Sequence, residues 1–326
     1  MPIVVNSNVT ATTASFNLSH ANDALRKSLA RLSSGKRIVN PADDAGGMAV
    51  AYKLQSALTR TEAVRQNIQN GLSYLQVQDG ALEVAGKILS RMAELRTMAA
   101  DITKNSSDIE NYSKEFVELQ SQLKQVKQQK FNGVEVFAEN DQQLSEFNGD
   151  PAQINIGSGD YRDATGAQTY DKFSRTILTA ESGLATDGSI SLNVVNLEFI
   201  LSLGALGDLG GFNNAGTGVS FSTVALNGST FLSNITDINI SFFTRAIEKL
   251  SDMRAENGAE QSRLGMASDL LMQNQTNLEA AYGRIMDADI ALESTRMARQ
   301  NVLVQSSAAM VAQANQLTSI ALTVLG

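Results

Sequence analysis

The chain has 326 residues, 43% of them hydrophobic and 18% charged, with 26 Lys plus Arg against 34 Asp plus Glu. This is long enough to bury a sizeable core and too apolar for a disordered chain, and a net charge of −8 argues against a protein that works by attraction to nucleic-acid phosphates. With no Cys and one His, disulfide frameworks, thiolate metal sites and cysteine nucleophiles are excluded, and imidazole chemistry would fall to His20 alone.

The only prolines are Pro2, Pro41 and Pro151, and 14 of the 24 glycines fall between Phe131 and Ser241. Two flanks rich in helix formers therefore enclose a middle of different type. The first predicted helix carries apolar or small residues at alternating intervals of four and three: Ala14, Leu18, Ala21, Leu25, Ser28 and Leu32. Ser33-Ser34-Gly35 stops it, with Gly35 as a left-handed cap. Asn40-Pro41 enforces a turn, after which Asp43 or Asp44 can cap a second helix. That helix shows a seam at Ile68, Leu72, Leu75, Asp79 and Leu82, shifting phase to Ala85, Ile88, Met92, Leu95, Ala99 and Ile102. It is expected to end at Asn105-Ser106, with Ser107-Asp108-Ile109-Glu110 as the capping box of a third helix. The third seam is Tyr112, Phe116, Leu119, Leu123 and Val126.

Phe131 to Phe137 combines an Asn132-Gly133 turn signal with alternating apolar residues, which predicts a hairpin. Short β-leaning runs follow at Ile154–Ile156, Ser189–Val195, Val219–Leu226 and Ile238–Ile240. Leu197–Leu206 fits a short helix or a buried strand equally. In the C-terminal flank one seam runs from Phe243 to Ile285, with Arg254, Asn257, Gln261 and Gln275 as polar interruptions that can set register. Asp287 can cap a final helix, or the helix runs on. The last seam is Leu303, Ser307, Met310, Ala314, Leu317, Ala321 and Val324. The predicted fold class is mainly α: a long antiparallel coiled-coil helical bundle formed by both termini, with a β-hairpin and a small β-rich or irregular central domain.

The terminal helices carry the functional signal. From Asn301 to Gly326 no side chain is charged, yet Gln305, Gln313, Asn315 and Gln316 are too polar for a bilayer interior. Burial against other copies of the chain satisfies both conditions, and a head-to-tail contact that does not close gives a helical filament. Such helices bury little alone and are expected to order on assembly. A closed bundle within one monomer is the competing arrangement. The expected assembly residues are Leu18, Ala21, Leu25, Leu29 and Leu32, with Leu303, Met310, Val311, Ala314, Leu317, Ile320 and Val324.

Leu32-Ser33-Ser34-Gly35-Lys36-Arg37-Ile38 followed by Asn40-Pro41-Ala42-Asp43-Asp44-Ala45-Gly46-Gly47 resembles the signature of the bacterial flagellins. So does Arg284-Ile285-Met286-Asp287-Ala288-Asp289-Ile290-Ala291-Leu292-Glu293-Ser294-Thr295, continuing into Val302–Gln305 and Ala312–Gln316. Phe131-Asn132-Gly133 and Gln261-Ser262-Arg263-Leu264 fit further family motifs in order.

The resemblance implies an inner-tube domain from 1–42 and 287–326 and an outer-tube domain from 43–139 and 241–286. A variable surface domain would occupy 140–240. It implies a subunit exported unfolded by the flagellar type III system to an extracellular filament for swimming, with no enzymatic activity and no cofactor. Expected partners are further copies of itself, hook-associated and cap proteins, and a cytoplasmic export chaperone. Neither nucleic acid nor a membrane span is expected. A Toll-like receptor is a further partner implied by Arg91, Leu95 and Glu115, although Ala93 departs from the recognised pattern. Ser222, Thr223, Ser229 and Thr230 are candidates for glycosylation. The alternatives are a hook–filament junction protein or a filament subunit with an adhesive surface domain. Two other motifs fail: Asp287-x-Asp289 lacks the later calcium ligands, and Gly46-Gly47 lacks the Lys of a phosphate loop.

Overall fold

The computed structural model describes the backbone of residues 8–138, 154–163, 166–184, 186–201 and 232–325, and their side chains apart from 154–173, 198–199 and 317–325. The elements, in order, are α1 (Val9–Ser34), α2 (Ala45–Ala99), α3 (Ser106–Lys127), β1 (Lys130–Phe131), β2 (Val134–Glu135), β3 (Ile154–Asp163), β4 (Gly166–Leu178), β5 (Ser189–Val194), α4 (Leu197–Leu201), α5 (Ile240–Met286) and α6 (Ile290–Leu325). The fold is mainly helical, as predicted. Contacts divide it into one unit of residues 1–60 with 273–326 and another of Thr61–Met272.

In the Thr61–Met272 unit, the predicted seams of α2, α3 and α5 form the core. Ile68, Leu75, Leu82, Met92 and Leu95 of the α2 seams, joined by Leu89 from beside them, are fully buried with Phe116 and Leu123 of α3 and Phe243 of α5. The Phe116 and Phe243 rings meet edge to face at 6.4 Å. The predicted hairpin is β1–β2, pairing Phe131 with Val134. Asn132 and Gly133 take φ of 51° and 81°, the mirror-image turn that Asn-Gly tolerates.

β3, β4 and β5 form an antiparallel sheet in that order, with β5 on an edge. That edge is closed by side chains. The Asn193 N–H donates to both carboxylate oxygens of Glu260 at 3.0 and 2.9 Å, and Asn193 Nδ2 donates to Glu256 Oε2 at 2.8 Å. Gln78 Nε2 donates to the carbonyls of Val136 (3.0 Å) and Asn193 (3.3 Å). Asn257 Nδ2 donates to Gln78 Oε1 at 3.0 Å, and Gln261 Nε2 donates to Asn257 Oδ1 at 2.8 Å. Arg254 forks onto both oxygens of Asp79 at 2.8 and 3.0 Å. Arg254, Asn257 and Gln261 of the α5 seam thus have α2 and each other as partners. Where the chain returns at Leu232, Gln120 clips its backbone from both sides, donating to the Leu232 carbonyl at 2.9 Å and accepting its N–H at 3.1 Å.

Three local expectations are corrected, and one left open between helix and strand is decided. α2 stops at Ala99, so Ile102 lies in a turn beyond the seam. The capping box of α3 is Asn105 with Asp108, not Ser107 with Glu110, because the turn places Asn105 where its side chain meets the Asp108 N–H. Ile240 begins α5, and Ile238 and Asn239 precede it without forming a strand. The Leu197 segment is helical over Leu197–Leu201. Val219–Leu226 lies outside the described residues.

In the other unit, α1 and α6 pack against each other. Gly35 caps α1 at φ 68°. Asp44 caps α2, its Oδ1 accepting the Gly47 N–H at 2.8 Å. α5 and α6 are separate helices, and the cap of α6 is Asp289, whose Oδ1 accepts the Leu292 N–H at 3.0 Å. Asp287 instead bridges to Lys36 in an isolated antiparallel pair. Ile38, Ala51 and Met286 form a small separate core beside this joint.

Candidate assembly surface

Three contacts fix the α1–α6 register. Asn8 Nδ2 donates to the Ala314 carbonyl at 2.9 Å, Ser28 Oγ donates to Glu293 Oε1 at 2.7 Å, and Lys36 bridges to Asp287. The helices therefore run antiparallel. On α1 the predicted seam faces the partner helix: Ala21 and Ser28 are buried, and Ala14, Leu18, Leu25 and Leu32 are half-buried. Leu29 is off the seam and 48% exposed.

On α6 the covered stripe is Glu293, Met297, Gln300, Val304, Ser307, Val311 and Ala314, again at intervals of four and three. It shares Ser307 and Ala314 with the predicted seam but replaces Leu303 and Met310 by their neighbours Val304 and Val311. Leu303 and Met310 are 42% and 59% exposed. α6 carries apolar residues on all sides, so hydrophobicity alone marks no single face. Leu317, Ile320 and Val324 lie on the helix, with side chains outside the described set.

The pair is thin, and its outer faces are apolar. Val9 and Phe16 on α1 are 70% and 65% exposed, and Val302 on α6 is 63% exposed. Phe16 rests edge-on against His20, ring centres 4.4 Å apart. His20 is exposed, which fits no buried imidazole chemistry.

Glu293 is the electrostatic centre of the pair and is nearly buried. Besides Ser28 it accepts from Arg296 Nη1 at 3.2 Å, and Arg31 Nη1 stands 3.9 Å from Oε2. Asp43 lies in the same cluster, 2.6 Å from Lys27 Nζ. Its hydrogen bond from Lys27 holds its carboxyl below the ordinary carboxylate range, aided by the Val39 and Asn40 backbone and opposed by burial. The seam reading missed Glu293, although its spacing of four and seven before Met297 and Gln300 places it on the covered stripe.

The other candidates fall elsewhere. Arg91 Nε donates to Glu115 Oε1 at 2.7 Å across α2 and α3, and Arg91 also pairs with Glu94. Leu95 is fully buried, so a receptor on this face would meet Arg91 and Glu115 but not Leu95. Ser222, Thr223, Ser229 and Thr230 lie outside the described residues. Among the described residues no helix is long and apolar enough to cross a membrane.

The family comparison bears on both flanks. The bacterial flagellin N-terminal helical region matches residues 5–142, and the bacterial flagellin C-terminal helical region matches residues 240–324. Polar flagellin F of Vibrio parahaemolyticus is 29% identical with the whole of both chains covered. Flagellin of Bacillus subtilis is 29% identical over 96% of each chain. The flagellar filament 33 kDa core protein of Treponema phagedenis is 27% identical over 99% of this chain and 100% of that one. A solved structure described as a flagellar hook-associated protein of Vibrio parahaemolyticus superposes with a TM-score of 0.52, covering 75% of this chain and 100% of that chain. At 14% identity this is a likeness of fold alone. With both helical flanks matched, and with relatives aligned along nearly their full length, the chain belongs to the bacterial flagellins.

Proposed function

We infer that this chain is a structural subunit that polymerises with its own copies into a flagellar filament. The observation that carries this is the antiparallel α1–α6 pair, covered along one stripe and apolar on its outer faces at Val9, Phe16, Leu29, Val302, Leu303 and Met310. In water these faces are costly, and repeated contact between copies removes them from it. The flagellins matched along their full length favour the filament over the hook–filament junction. A subunit of this kind works outside the cell, reaching it through the flagellar type III system. A Cys-free chain suits that route, since no disulfide can trap a partly folded state. Cap and hook-associated proteins would meet the same terminal helices at the filament ends, and an export chaperone would cover α6 beforehand.

The test is polymerisation of the purified chain, read by sedimentation and electron microscopy. The unmodified chain is expected to pellet as filaments. Leu303→Asp is expected to leave monomer unfolding unchanged, because its side chain is off the intramolecular stripe, yet to abolish the pellet by placing an unpaired charge in the contact between copies. An unmodified chain that stays monomeric under polymerising conditions, or a Leu303→Asp variant that assembles normally, refutes the inference.

A further inference from the structure

The Thr61–Met272 unit contains a cavity that the filament reading does not use. It is open to solvent, holds about 440 Å³ and lies where α2, the hairpin and the sheet converge. Ligand-binding clefts span roughly 300–1,000 Å³, so it has the size for a small molecule. Tyr74 of α2 and Phe131 of the hairpin form aromatic walls, their rings meeting edge to face at 6.1 Å. The Tyr74 hydroxyl is turned to the hairpin backbone, 3.3 and 3.2 Å from the Glu135 and Val136 carbonyls. Val134, Ile177 and Leu192 supply aliphatic walls. Gly71 adds no side chain to the α2 wall, and a Cβ there would collide with Ile177 Cδ1. The surface is therefore mostly apolar.

Charge enters this lining through one side chain, the half-buried Arg175 of β4. Its Nη2 donates to the Glu135 carbonyl at 3.5 Å, which places the guanidinium between hairpin and sheet. Among the described lining residues there is no carboxylate, although the chain as a whole carries a net charge of −8. Glu135, on the adjoining strand, has its carboxylate on Lys130 Nζ at 3.1 Å. Asn67, Asn70 and Asn132 bring exposed amides to the lining. The cavity thus offers apolar walls, one fixed cation and neutral hydrogen-bonding groups.

Such a lining selects a ligand with a slender apolar body and a single negative charge. An organic cation meets repulsion from Arg175, and a neutral hydrocarbon gains nothing from it. We propose that this cavity binds the free carboxylate of a straight-chain fatty acid of about eight to ten carbons. The alkyl chain lies against Tyr74, Phe131, Ile177 and Leu192, and the carboxylate meets the Arg175 guanidinium, whose planar fork suits its two oxygens. A lipid with two acyl chains is too bulky for this volume, which favours the free acid over a bilayer surface. This ligand-binding activity is separate from assembly and does not depend on the filament reading.

The test uses the full chain as a monomer, with hexanoate, octanoate and decanoate kept below micelle formation. Calorimetric titration is expected to show one site per chain, with affinity rising about fourfold per added methylene. Decylammonium, of similar length and opposite charge, should bind roughly tenfold more weakly than decanoate. Arg175→Gln should weaken decanoate about tenfold while leaving decanol unchanged, and Arg175→Lys should fall between. Val134→Trp fills the space beside the hairpin and should abolish binding of all three acids. A readout on the unmodified chain stands whether or not these variants fold. The carboxyl resonance of carbon-13-labelled decanoate should titrate at lower pH when bound, because a guanidinium favours the ionised form. Equal affinity for decanoate and decylammonium, or an affinity indifferent to chain length, overturns the proposal. So does the absence of any heat or resonance shift up to micelle formation. Binding to phosphatidylglycerol vesicles without binding of free decanoate assigns the surface to a membrane and overturns it as well.

Discussion

Glu293 offers the sharpest test of how the terminal helices hold together. Replacing it by Ala removes the Ser28 hydrogen bond at 2.7 Å and the Arg296 contact at 3.2 Å. The Arg296 side chain is 54% exposed, so that contact contributes little. The Ser28 bond is buried and charge-assisted, worth roughly 1.5–3 kcal/mol, and its loss leaves a buried hydroxyl without its acceptor. Against this, removing a buried carboxylate relieves its desolvation. The net loss is about 2 kcal/mol, which corresponds to roughly 30-fold weaker helix pairing. Hydrogen exchange by mass spectrometry on the monomer reads this directly. Peptides from α1 and α6 should exchange about 30-fold faster in Glu293→Ala, while α3 peptides are unchanged. Glu293→Gln should fall between, since its amide oxygen can still accept from Ser28. Unchanged exchange in α1 and α6, or equal acceleration in α3, would refute the reasoning.

Asn257→Ala removes the buried link from α5 to Gln78 and should destabilise the Thr61–Met272 unit by about 1–3 kcal/mol, lowering its calorimetric melting temperature by several degrees. Asp43 gives a pH signature. Its folded carboxyl titrates below the unfolded value, so its contribution is fully present above about pH 4 and fades as pH falls through the folded value. The protection of the α1 peptides, taken relative to the intrinsic exchange rate at each pH, should therefore fall on acidification below about pH 4. In Asp43→Asn that component should be missing, and the effect should be small because Lys27 is half exposed.

Much of this architecture could be read from local chemistry. Gly35, Asp44 and Asn132-Gly133 mark places where backbone geometry admits few residues, so their positions translated directly into caps and a turn. The α2 and α3 seams were legible because large apolar residues repeat there against polar neighbours. Errors arose where neighbouring residues offered equal alternatives. Ile102 lies three residues beyond Ala99 and fits the seam; only the Asp101 turn removes it. Asn105 with Asp108 and Ser107 with Glu110 are overlapping capping boxes, and backbone geometry selects the first. On α6, Leu303 and Val304 fit a heptad equally well, and the contact with α1 selects Val304. Gln78 and Asn193 lie far apart in sequence, and no spacing rule announces that one clasps the other's backbone.

The Gln120 clip on Leu232 has a practical meaning for engineering. On the outgoing side, Leu197, Ile200 and Leu201 are sunk in the core; on the returning side, Gln120 grips the chain by its backbone, a grip indifferent to side-chain identity. Foreign peptides grafted between these two anchor points would need to satisfy neither, so antigens or enzymes of varied length could be carried there in many copies without redesigning the stem that bears them.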